Sequence, residues 1–236
     1  MRRLLAVLVL AVSTVAVAAT LQDALGQYAK GDFQEAATTA AGLRTAEGYA
    51  LAAKATSIFA TTRPEREQDA LFVKAEALAN QAIAADARVP EGYFERARAL
   101  GRLSQLRGVL QALAQGYGGR VKADLEKALQ LRPNYASALV AFGLWHAEIA
   151  SKGAIVNAIY GGDASRVALL MDRAIALEPD VPIHRIEYAK ALMLLDAGKN
   201  KERARALLTQ ASGMRASDAA ERLDIERAKR ELAELK

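Results

Sequence analysis

The chain has 236 residues, is 52% hydrophobic and 25% charged, and carries a formal charge of +5. That balance is globular and excludes a disordered, solvating chain. The absence of cysteine excludes disulfides and a lipid anchor attached at a cysteine, so stability has to come from packing. Lys, Arg, Asp and Glu alternate without a basic block or interleaved aromatics, which makes nucleic acid an unexpected partner.

In chain order, the first segment is MRRLLAVLVLAVSTVAVAAT. Arg2 and Arg3 form a positive start, an uncharged apolar run follows from Leu4 to Val17, and Ala16, Ala18 and Ala19 supply small residues for cleavage. The run is about 15 residues against the roughly 20 that span a bilayer. Residues 1–19 are therefore expected to be a signal peptide cut after Ala18 or Ala19. The expected product is periplasmic or secreted, not a lipoprotein, with no stable membrane span after cleavage.

From residue 20 onward the pattern is helical throughout. Alanine is more than a fifth of the chain, and it is both the best helix former and the residue that lets helices approach closely. Apolar periodicity and helix stops predict helices near 21–30, 32–43, 45–60, 66–86, 91–115, 119–131, 135–158, 164–177, 182–197, 200–212 and 218–235. Pro90, Pro133, Pro179 and Pro182 fall in the breaks, where proline ends one helix and suits the first turn of the next. The last segment opens on Asp218 and Glu221 as a capping pair. Its apolar stripe is Ile225, Ala228, Leu232 and Leu235, as expected of a terminal capping helix.

One stretch of the chain is written twice. RVKADLEKALQLRP at 120–133 returns as RVALLMDRAIALEP at 166–179, and Ala82-Ile83, Ala128-Leu129 and Ala174-Ile175 stand 46 residues apart. Both QALAQGYGGRV and IVNAIYGGDASRV carry Tyr-Gly-Gly before the second helix of a pair. That echo reads as turn chemistry after an extended first helix, with Tyr117 and Tyr160 as rim contacts the other reading.

Gly31-Asp32-Phe33-Gln34-Glu35-Ala36, the closings Ala-Leu-x-Leu-x-Pro and Ala-Ile-x-Leu-x-Pro, and the large-small pair Phe142-Gly143 resemble the tetratricopeptide repeat (TPR). The resemblance covers roughly residues 21–213, with a period of 46 where the standard motif has about 34. It implies an all-α, right-handed α-solenoid of stacked antiparallel helix pairs. The expected repeats are 21–43, 45–87, 90–132, 135–178 and 182–213, followed by the cap at 218–235.

It also implies a concave groove lined by the first helix of each pair. Counted from Pro90, Ala136 and Pro182, the groove-facing candidates are Phe94, Arg98 and Arg102, then Val140, Leu144 and Glu148, then Ile186, Lys190 and Met193. The Lys/Asn clamp of the best-known peptide-binding TPRs is absent, because Phe94/Arg98, Val140/Leu144 and Ile186/Lys190 hold its places. A mixed groove, apolar with a few cations, suits an extended or helical peptide or an acyl-type ligand.

Catalytic groups are sparse. His146 and Glu148 point about 200° apart on a helix. His184 and Glu187 share a face, but a zinc site wants three or four ligands. No phosphate-loop, zinc-protease, nucleophile-elbow or EF-hand motif is present. The expectation is a non-enzymatic scaffold of the cell envelope that binds a protein or peptide and needs no metal or cofactor. The alternative is a small-molecule-binding accessory subunit of an envelope transport system.

Overall fold

The computed structural model describes residues 19–235; of the expected export signal, all but Ala19 lies outside them. The described residues form eleven helices and no strand. These are α1 Leu21–Lys30, α2 Phe33–Gly42, α3 Ala46–Thr61, α4 Glu65–Ala85, α5 Pro90–Ala114, α6 Tyr117–Leu131, α7 Ala136–Ser151, α8 Ala154–Tyr160, α9 Ser165–Leu177, α10 Pro182–Ser212 and α11 Ala219–Glu234. From α1 to α6 each packs mainly on its sequence neighbours, α7 packs on α9 across the short α8, and α3 on α5 and α7 on α10 connect one pair to the next. The result is the TPR-like solenoid that the repeats imply.

Alanine sets the helix spacing. Ala82, Ala128 and Ala174, the three echoes 46 residues apart, are all fully buried. The main core runs from Ala60 and Phe72 through Leu100, Leu125, Phe142 and Met171 to Leu192, so one apolar seam joins successive pairs. Gly143, the small member of the large-small pair, lies where an added Cβ would stand 3.0 Å from the Met171 side chain. Gly48 is tighter still, since a Cβ there would sit 2.5 Å from the Ala40 carbonyl oxygen. A backbone atom cannot yield as a side chain can. Gly48→Ala is therefore expected to cost about 2 kcal/mol, read from urea unfolding midpoints, by prising α2 from α3.

The extra residues of the long repeat are used differently from the sequence expectation. The expected helix 135–158 is two helices, α7 and α8, separated at Gly153 with φ 92°. The expected helix 91–115 breaks at Gly108, with φ 79° and ψ 170°. Arg107 anchors that break, donating to both Asp69 carboxylate oxygens at 2.6 and 2.8 Å and to the Tyr117 hydroxyl at 2.5 Å. Conversely, 182–197 and 200–212 join as α10 through one extended residue, Asp196. Its carboxylate accepts from the Lys199 amide at 3.1 Å and so caps the second half.

Tyr-Gly-Gly is packing as well as turn. The bend precedes it at Gly116 in the first copy and falls within it at Gly161 in the second. Tyr117 is buried, and the Tyr160 ring lies against Gly118, where a Cβ would stand 3.0 Å away. Neither tyrosine stands out on a rim.

The last helix does more than cap. Ile225 is buried, and Ala228 packs on α10 in a cluster with Ile186, Ala204 and Leu208. Meanwhile Ala219 and Ala220 join Tyr28, Phe33 and Ala36 of the first pair in a separate cluster. A Cβ on Gly31 would lie 3.1 Å from that of Ala219. The two ends of the solenoid touch.

Candidate binding groove

Because α11 reaches α1, the concave face becomes a groove of about 1160 Å³ with walls on both sides. One side is built by α1, α3, α5, α6, α7 and the start of α10, and α11 forms the other. The α5–α7 side carries an apolar band of Phe94, Val121, Val140, Leu144 and Ile149 beside the charged Glu95, Arg98, Arg102 and Glu148. The α11 side presents Asp218, Glu221, Asp224, Arg227 and Arg230.

Five of the six residues expected to form the site line it: Phe94, Arg98, Arg102, Leu144 and Glu148, and Val140 joins them. Lys190 does not line it but reaches Glu148 at 3.3 Å. Ile186 is fully buried against Ala204, Leu208 and Ala228, and Met193 packs in the same cluster. Both turn toward the second half of α10 and toward α11, whose position no single-helix register reveals.

The expected cations are already engaged. Arg98 pairs with Glu95 on its own helix, and its ring-side contact is Phe94. Arg102 approaches Glu187 at 3.7 Å, bringing α5 to α10 across the groove. Gln105 donates to Glu148 at 2.8 Å. These links give the floor a charge lattice that is mostly neutralised from within, rather than a set of free cations awaiting an anion.

The residues that sequence reasoning missed are acidic. Glu187 is buried, with one oxygen accepting from Arg227 at 2.8 Å and the other, Oε2, without a hydrogen-bond partner. Burial works against its charge, yet Arg227, Arg102 and Lys190 together hold its carboxyl down at about 2. Among the described residues nothing donates a hydrogen bond to Asp224, and burial pushes its carboxyl up to about 7; Glu187 and Asp218 add to that rise, and Arg227 and Arg98 oppose it. Glu95 is also raised by burial, against Arg98 and Lys54. The one sequence signal for this cluster is that Glu187 shares a helix face with His184, which is fully buried on the same groove.

The two histidines are core residues. His146 accepts from the Asp163 amide at 3.1 Å and stacks near Phe142 and Trp145. Burial lowers both His146 and His184 to about 4, so each is neutral at pH 7. Among the described residues no three His, Asp or Glu side chains are grouped to hold a metal ion. No helix among them is long and apolar enough to cross a membrane.

Comparison with known proteins follows the fold. TTC0263, a thermophilic TPR protein in Thermus thermophilus, has a solved structure similar to this chain with a TM-score of 0.60. The match is 20% identical and covers 89% of this chain and 96% of that one, a likeness of fold alone. Among curated proteins, none matches. The family model described as regulator of microtubule dynamics protein 1-3 matches residues 20–236, the whole repeat region and the helix that closes it, and the chain belongs to that family.

Proposed function

We propose that the chain is a non-enzymatic interaction scaffold of the cell envelope that holds a segment of a protein partner in its central groove. The observation that carries this reading is the groove itself, about 1160 Å³, with an apolar band along α5–α7 and a charged face on α11. TPR-like folds characteristically bind through this surface. A groove held in shape by stacked helices binds without an ordering cost of its own. The export route rests on the amino-terminal pattern of arginines, apolar run and small residues.

One observation favours a second reading. With α11 across it, the groove is flanked on both sides, which also suits a small molecule delivered by or to an envelope transporter. Placing a photo-reactive residue at Phe94, which lines the same groove, in living cells separates the two. A protein adduct that disappears in a Leu144→Glu background supports the scaffold. Leu144 is only half-buried, so that substitution is expected to leave the fold intact while reducing partner capture at least tenfold. Recovery of the chain alone, with a co-purifying molecule in native mass spectrometry, supports the second reading.

A further inference from the structure

The groove differs in charge from the molecule that carries it. The whole chain holds 32 Lys and Arg against 27 Asp and Glu. The groove lining reverses that sign, with nine carboxylates against seven Lys and Arg. The reversal is concentrated where α10 meets α11, and it survives after internal pairing is counted.

Arg230 of α11 lines the groove with its side chain exposed, and the other cations near this corner already have partners. Arg98 of α5 is paired with Glu95. Arg227 of α11 is held between Glu187 at 2.8 Å and Glu231 at 2.6 Å. Among the described residues these acceptors remain without a donor. Oε2 of Glu187, a side chain more than nine-tenths buried, has no donor. Asp218 uses Oδ1 to cap the Glu221 amide at 2.8 Å, and nothing donates to its second oxygen. Asp224, two turns along α11, accepts nothing at all. Lys54 of α3 faces the same space but lies over the Tyr28 ring at 4.6 Å, and burial followed by Arg98 holds its ammonium below the usual range. A buried acceptor without a donor costs free energy that an incoming donor recovers.

Resting on the reading that a partner segment occupies this groove, we propose that the segment is a basic peptide. Its Lys or Arg side chain docks on Asp224, Asp218 and Glu187 while its apolar side chains lie along Phe94, Val140 and Leu144. The corner supplies acceptors and negative charge, and the opposite wall supplies the apolar surface. A single basic, amphipathic segment satisfies both.

The titration of Asp224 gives the proposal its own signature. The groups facing Asp224 are Arg227 and Asp218 on α11, Glu187 on α10 and Arg98 on α5. With its carboxyl at about 7, Asp224 is mostly protonated at pH 6 and mostly ionised at pH 8. A cation binds only the ionised form, so affinity rises with pH and a proton is released on binding.

The test uses fluorescence anisotropy on the full mature chain. Three labelled peptides share one pattern of leucines and differ in carrying Lys, Gln or Glu between them. The Lys peptide is expected to bind most tightly, about tenfold better at pH 8 than at pH 6, and Asp224→Asn is expected to flatten that pH dependence. Asn is isosteric with the protonated carboxyl, so this variant should fold. Asp218→Asn keeps the helix cap and is expected to weaken the Lys peptide severalfold, as a second check. Equal binding of all three peptides, or tighter binding of the Glu peptide, overturns the basic-partner proposal and leaves the groove reading standing. A pH dependence that persists in Asp224→Asn overturns the role given to Asp224. Binding of none, or binding unaffected by Leu144→Glu, sinks the groove reading itself.

Discussion

Aspartate at Ala128 or Ala174 lowers the unfolding free energy of the chain by about 4 kcal/mol. Both alanines are fully buried where second helices pack in the main core. A carboxylate there has neither room nor donor. It must either be buried charged, which is prohibitive, or protonate and still push the helices apart. For a domain of this size the loss corresponds to a fall in Tm on the order of 10 °C, measurable by circular dichroism at 222 nm. Aspartate at Ala123, an exposed position on the same helix as Ala128, is the control and is expected to change little. Equal melting of the Ala128→Asp and Ala123→Asp variants would falsify the repeat register.

Asp224→Asn, in contrast, makes the chain more stable, by a margin that grows from about pH 4 to pH 7 and then holds. The folded carboxyl titrates near 7, against an ordinary value of 3.8. A group raised on folding contributes stability below its unfolded value and loses it as pH climbs through the folded value. From about pH 4 to pH 7 the wild type therefore loses stability at this site, and above pH 7 the cost stays constant. That displacement corresponds to about 4 kcal/mol, which partial solvent contact reduces to about 2. Chemical denaturation is expected to show Asp224→Asn ahead by that margin at pH 8 and level with wild type at pH 4. A gain independent of pH would mean that packing, not ionisation, makes Asn the better residue. The residue that costs the fold stability above neutrality is the one proposed to receive the partner's cation, a common trade between stability and function.

Much of this was legible in the sequence because it is local. Alanine at fixed spacing, proline at the breaks and the Asp218–Glu221 capping pair are all signals within one or two turns of a helix. The break points were only half visible. Gly108 and Gly153 are glycines with positive φ, and Asp196 carries no such mark. The groove-facing register placed Phe94, Arg98 and Leu144 on the groove. Their electrostatic state was not legible, since Arg102 meets Glu187 from another helix pair and Arg227 reaches the groove from the last helix. Partners so distant in sequence leave no periodic trace. The acidic corner exists only because α11 folds back, and its amphipathic pattern equally fits a cap lying outside.

That fold-back changes how the array holds together. A linear stack of repeats contacts only nearest neighbours and has two outer units that fray first, so it loses structure from its edges inward. Here Ala219 and Ala220 rest against Tyr28 and Phe33, and the outer units become neighbours of each other. Opening either edge then breaks a contact made by both, so the weakest part of an ordinary solenoid becomes a shared seam. The same seam is built mostly of small side chains, with Gly31 meeting Ala219. It is a closure that a modest amount of free energy can undo, and it sets how wide the ring can open without any repeat having to melt.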